Sequence, residues 1–183
     1  MPSTFITRQE AAELSGLPLG AVKNAIDKQI VPDRNIESQS FIETRDVVTL
    51  VMLPFLSELP VDQKRRVRDW LWTTPRSRRL QLSPALVVQR IDIAEQAGRD
   101  AARYARLRDK WITSDPDIRG GEPTIRGSRV GVYMLAERVA HGESDQLLDE
   151  DFPHIPHEAR TVAVKYARTH PRRGRPRTLG QPA

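Results

Sequence analysis

From Ser114 to Val130 the chain reads Ser-Asp-Pro-Asp-Ile-Arg-Gly-Gly-Glu-Pro-Thr-Ile-Arg-Gly-Ser-Arg-Val, and few other segments leave the backbone so little choice. Asp115-Pro116-Asp117 predicts a turn, because an Asp side chain bonds the backbone two residues on and proline fixes φ. Gly120 and Gly121 offer positive φ at little steric cost. Pro123-Thr124-Ile125 is a short extended run, and Gly127 allows a second bend between Arg126 and Arg129. The segment thus predicts a turn–strand–turn that positions the helix after it. A phosphate cradle does not fit, since Gly-Lys-Ser/Thr is missing and no G-x-G-x-x-G follows a strand. Arg126 and Arg129 become candidates for binding on that frame.

Written as a pattern, S-D-P-x-I-x-G-G-x-P-x-I-x-G-[ST]-R, this stretch resembles the core of a small bacterial family, domain of unknown function four-three-three. Family members occur largely as antitoxins. The resemblance therefore implies a type II antitoxin of the VapB type, with a PIN-domain ribonuclease as the toxin it holds. One position departs from the family: Ile155 stands where Ser or Thr usually precedes the proline, here Pro156. A weaker helix cap, by ~1 kcal/mol, is the expectation there.

After the glycine core, Val132, Leu135, Ala136 and Val139 follow helical spacing. Gly142 ends that helix and Ser144 caps the next, which holds Leu147 and Leu148. Pro156 opens a last helix with Ala159, Val162, Ala163 and Tyr166 on its apolar face.

The other end of the chain has its own start signal. Thr7-Arg-Gln-Glu10 is a capping box, followed by Ala11, Ala12 and Leu14, with a stop at Ser15-Gly16. Pro18 suits the first turn of a second helix carrying Val22, Ile26 and Ile30. Two short helices across a glycine turn form a helix-turn-helix. Asn35-Ile-Glu and Ser40-Phe-Ile can pair as a wing, with Arg34 at its base. The register resembles DNA-binding domains found ahead of this antitoxin core, and regulators of the MerR type. Lys23, Asn24 and Lys28 on the second helix, with Arg34, are the candidate DNA contacts, and Asp27 fits least well. Packing alone is the competing use of such a helix pair.

Between these ends, Thr44 can cap a helix through Val47, Val48, Val51 and Leu56, and Pro60 opens another with Val61, Val67, Trp70 and Leu71. Residues 85–93 read as a strand and Glu95–Lys110 as a helix with a thin alanine stripe. Such a stripe needs a close-packed partner, which a second protomer can supply.

With 183 residues, the chain holds one medium or two small domains. Its net charge of +5 and pI near 10.0 favour a polyanionic or acidic partner. Lys64 to Arg79 is strongly basic, whereas residues 141–158 carry six acids and no Lys or Arg. The acidic run reads as a solvated face turned away from any DNA. Cysteine is absent, so there is no disulfide or thiolate zinc site. His154 and His157 straddle Pro156 without a third metal ligand, and no nucleophile, base and orienting group stand together. The sequence predicts no enzyme, metal or cofactor. A signal peptide is not apparent, and the apolar run Val47–Leu56 is too short to span a membrane, so a cytoplasmic protein is expected.

Pro171-Arg-Arg-Gly-Arg-Pro-Arg177 carries the Arg-Gly-Arg-Pro core of an AT-hook. Gly174 lets the backbone approach the minor-groove floor while Arg173 and Arg175 run along it. The same guanidinium groups could instead enter the carboxylate cluster of a PIN-domain toxin, or the tail could only solubilise. The expected fold is mainly α with short β elements. Residues 1–57 form a winged helix-turn-helix and 58–110 a basic connector that is a possible dimer region. Residues 111–170 form a short hairpin plus a three-helix, helix-turn-helix-like antitoxin domain, and 171–183 a disordered basic tail. The expected partners are operator DNA, the toxin and a second copy of the chain. The alternative is a stand-alone DNA-binding regulator or nucleoid-associated protein.

Overall fold

Thr7 and Glu10 close the capping box that their spacing predicts. The Glu10 amide donates to Thr7 Oγ1 at 3.2 Å and the Thr7 amide donates to Glu10 Oε2 at 2.7 Å, starting α1 (Arg8–Ser15). The computed structural model describes residues 4–36 and 38–172, and the chain forms two compact units divided in sequence between Lys110 and Trp111. Among the described residues it is mainly helical with short strands.

In the first unit, Gly16 ends α1 in the left-handed region at φ 71°, and α2 (Leu19–Asp27) starts after Pro18. The second helix is shorter than the spacing of Val22, Ile26 and Ile30 suggests. Val22 and Ala25 are its buried residues, and Ile30 reaches the core from the turn beyond, where Gln29 takes φ 53°. The expected hairpin forms from β2 (Arg34–Ile36) and β3 (Gln39–Glu43), with Asn35 opposite Ser40. A strand missed in the sequence, β1 (here Phe5–Thr7), pairs with the other edge of β3. At three residues it is too short to show alternation.

Thr44 does not cap the third helix with its side chain, as the sequence had suggested. The helix α3 (Asp46–Met52) begins two residues later, and Asp46 sits in its first turn where the helix dipole favours an acid. Asp46 is fully buried and accepts from Arg68 Nε at 3.0 Å. Burial pushes its carboxyl up to about 6, although Arg68 opposes the rise. A 3-10 turn, Leu53–Leu56, leads to α4 (Val61–Thr73), which follows Pro60 as expected.

Next comes a hairpin in place of one strand. β4 (Arg79–Ser83) pairs with β5 (Leu86–Gln89) around Pro84-Ala85, and α5 (Asp92–Trp111) takes up the rest of the run read as a strand. Arg90, between hairpin and helix, is buried and donates to the carbonyls of Leu71 at 2.9 Å, Thr74 at 3.0 Å and Ser77 at 2.8 Å. It thereby satisfies the carboxyl end of α4, and Glu95 balances its charge at 2.7 Å.

The expected boundary at 57/58 does not divide the unit. Met52 and Leu56 share one core cluster with Val67, Trp70, Leu71, Leu82, Val88 and Ala94. Of the alanine stripe of α5, Ala101 and Ala105 are fully buried within the chain itself and Ala97 is half-buried.

The second unit starts from β6 (Ile112–Thr113) and β7 (Thr124–Ile125), paired antiparallel. It continues through α6 (Val132–Ala140), α7 (Asp145–Asp151) and α8 (His157–Thr169). Gly142 follows α6 at φ 82°, and Ser144 Oγ caps α7 by accepting from the Leu147 amide at 3.2 Å. Its core contains Ile125, Val132, Leu135, Leu148, Ile155, Ala159 and Ala163. Ile155 leaves α8 without a side-chain cap, as the missing Ser or Thr predicts, but it has a second role. It is 2% exposed and anchors the start of α8, whose capping position is Pro156.

The acidic run is also more organised than a solvated face. Arg138 bridges Glu143 and Asp151, and the buried Arg160 donates to Asp149 at 2.6 Å. Among the described residues no helix is long and apolar enough to cross a membrane.

Gly98 on α5 gives a test of the core of the first unit. A Cβ built there would lie 2.5 Å from Val48 Cγ2, a branched side chain with little rotameric freedom. Glycine to alanine inside a helix ordinarily gains ~1 kcal/mol. Here Gly98→Ala is expected to lower stability by ~1–3 kcal/mol in denaturant unfolding, with Val48→Ala in the same chain recovering part of the loss.

Candidate nucleic-acid interface

Helical spacing puts Lys23, Asn24, Asp27 and Lys28 within one arc of α2, opposite buried Val22 and Ala25, and all four are exposed. Lys28 is the last of them and caps the helix, its amide donating to the Asn24 carbonyl at 3.0 Å. Arg65 of α4 donates to the Lys28 carbonyl at 2.6 Å, which fixes that end of α2 from a residue 37 positions away. Lys64 and Asn24 line one cleft with Lys28. Neither Lys64 nor Arg65 was singled out in the sequence, where they stood only as members of a basic run.

That run is largely used within the chain. Arg68 pairs with Asp46, Arg78 with Asp92 and Lys64 with the Ser57 carbonyl. Arg34 begins β2, exposed, with its guanidinium carbon 5.0 Å from the centre of the Phe5 ring. The candidate contacts Lys23, Asn24, Lys28 and Arg34 therefore all lie at the surface of the first unit. Arg173, Gly174 and Arg175 lie outside the described residues.

The glycine core of the second unit is a scaffold built from backbone bonds. Asp115 Oδ1 accepts from the Asp117 amide at 3.0 Å, the turn expected around Pro116. Gly120 and Gly121 take φ 64° and 83°, and Gly127 takes 77°. Between them the Pro123 carbonyl accepts from the Val132 amide at 2.9 Å, tying the extended run to the first turn of α6. The Arg126 amide donates to the Trp111 carbonyl at 2.7 Å while its side chain is exposed, as is that of Arg129.

Arg119 was not a candidate, yet it closes this scaffold. Its guanidinium lies where a Cβ on Gly131 would come within 3.2 Å, and its Nε donates to Glu122 at 2.9 Å. The Arg119 guanidinium, and Arg172 with it, hold the Glu122 carboxyl below the usual carboxylate range. Arg172, the last described residue, also lies over the Tyr133 ring at 5.0 Å. The first arginine of the basic tail is thus engaged by its own domain.

The positive φ at Gly121 and Gly127 predicts a cost for any branched side chain. Gly121→Val and Gly127→Val are each expected to lose ~1–3 kcal/mol of stability. Open space around Gly127 makes this a backbone effect, so Gly127→Asn should retain most of the parent's melting temperature where Gly127→Val does not.

Comparison with known proteins finds a relative and a family match. The uncharacterized protein y4eO of Sinorhizobium fredii (strain NBRC 101917 / NGR234) is 45% identical over 69 residues, which cover 38% of this chain and 31% of that protein. The chain thus spans less than a third of the length of the curated relative it matches. No solved structure matches the chain. Residues 112–167 match the family described as "Protein of unknown function (DUF433)", and the C-terminal part of this chain is a domain of that family.

Proposed function

We propose that this chain is a type II antitoxin resembling the VapB type, which binds its own operator through the first unit and neutralises a PIN-domain ribonuclease through the second. The observation that carries the DNA part is the surface of α2. It follows a glycine turn and precedes a β-hairpin, the order of a winged helix-turn-helix, and presents Lys23, Asn24 and Lys28 together outside the core. Lysines there supply phosphate contacts and Asn24 can read an adenine edge. Arg34, at the base of the hairpin, extends the cationic surface toward the wing. The toxin part rests on the glycine-core domain at 112–167 and the family resemblance it carries.

The same operator contact suits a second reading, a stand-alone regulator. The DNA-facing elements all belong to one unit with its own core, so they need no toxin to fold. A dimer is proposed in both readings, since two-fold half-sites match a two-fold protein. Co-purification with the product of the adjacent reading frame separates the two. An antitoxin brings a PIN-type protein with it and suppresses its ribonuclease activity. A stand-alone regulator does neither.

Both readings share one expectation. The Lys23→Ala, Asn24→Ala, Lys28→Ala triple variant should keep the parent's circular dichroism and melting temperature and lose affinity for a fragment of its own promoter. The dependence of log affinity on log salt should become shallower by roughly one for each lysine that contacts a phosphate. Unchanged affinity at fixed salt would remove α2 as the recognition element.

A further inference from the structure

A cleft of ≈ 310 Å³ opens in the first unit between the three-stranded sheet, the Pro32-Asp33 loop and α4. It falls at the lower end of the size range for small-molecule sites. Phe5, Phe41 and Trp72 contribute aromatic surface to its lining. Three guanidinium groups lie on these rings: Arg34 on Phe5 at 5.0 Å, and Arg68 and Arg45 on Trp72 at 3.6 and 3.1 Å. Ring edges, the Phe41 ring and the stacked guanidinium planes together favour a flat apolar group.

The charges of the lining narrow the choice. Arg68 is balanced by Asp46, and Glu43 by Arg45 at 2.9 Å. Two charges are left. Asp33 accepts the Ser40 hydroxyl but meets no cation, and Arg34 meets a ring but no carboxylate, among the described residues. They are neighbours in the chain and both line the cleft. A ligand that completes the site carries an aromatic ring for the cleft, a carboxylate for Arg34 and a cation for Asp33. We infer that this cleft is a binding site for an aromatic amino acid, recognised as a zwitterion. Nothing in the glycine-core domain or in the exposed face of α2 requires it, and Arg34 is the residue it shares with the proposed DNA surface.

Calorimetric titration of the full chain with L-phenylalanine tests the site. Two analogues test its polarity: 3-phenylpropanoate, which lacks the ammonium, and 2-phenylethylamine, which lacks the carboxylate. Saturable binding of the amino acid is expected, with each analogue weaker by about tenfold or more, as for loss of one charge-assisted hydrogen bond. Arg34→Gln should weaken L-phenylalanine about tenfold and leave 2-phenylethylamine unchanged, because that analogue has no carboxylate to lose. Asp33→Asn should weaken L-phenylalanine and leave 3-phenylpropanoate unchanged. Arg34 is exposed, so its variant should melt with the parent, and Asp33→Asn keeps an acceptor for Ser40. Absence of saturable binding overturns the inference. So does equal affinity for all three compounds, or parent-like amino-acid binding by both folded variants.

Discussion

A single buried carboxylate ties the two ends of the first unit together. Glu10 is 0% exposed. Its oxygens accept from the Thr7 amide, from Tyr104 Oη at 2.8 Å and from Arg108 Nη1 at 2.8 and 2.9 Å. Arg108 also donates to the Phe5 carbonyl at 3.0 Å, so one guanidinium serves both β1 and the first turn of α1. An isolated carboxylate buried this deeply is too costly to persist, and removal of one partner from such a set typically costs ~3–5 kcal/mol. The last turns of α5 are therefore part of the N-terminal helix pair in energetic terms, although 98 residues separate Arg108 from Glu10.

The same logic recurs along the unit. Arg65 fixes the carboxyl end of α2, Arg68 meets the buried Asp46 at the start of α3, and Arg90 gathers the last carbonyls of α4. Each arginine joins a helix terminus to another element: Arg65 and Arg90 meet carbonyls that lack a partner in their own helix, and Arg68 meets a side chain in a first turn. Much of the positive charge that marks residues 64–79 is thereby committed to folding. The cations left for a polyanion are those on the exposed faces, among them Lys23, Lys28 and Arg34. The second unit follows a different plan, with its glycine core shaped by backbone bonds and positive φ.

What could be read from the sequence was local. Thr7 and Glu10 are three residues apart, Ser144 caps a helix that starts beside it, and Gly120, Gly121 and Gly127 declare their own backbone preferences. The long-range partners carried no such signal. Glu10 reads as a surface cap residue until Tyr104 and Arg108 are placed beside it. The alternation Arg79-Leu-Gln-Leu-Ser was hidden in a charged stretch, so the first strand of the second hairpin was missed. Ile155 was judged by the cap it could not make, while burial set its role. For the candidate interface, exposure of Lys23, Asn24 and Lys28 followed from helical spacing, but the support of α2 by Arg65 did not.

Native-state hydrogen exchange on Arg108→Gln tests most directly whether Glu10 joins the ends of the first unit. If it does, the amides of α1 and of the C-terminal turns of α5 lose protection together and by similar free energies, while those of α8 keep the parent's rates. Loss of protection confined to the turns around residue 108, with α1 exchanging as in the parent, would contradict it.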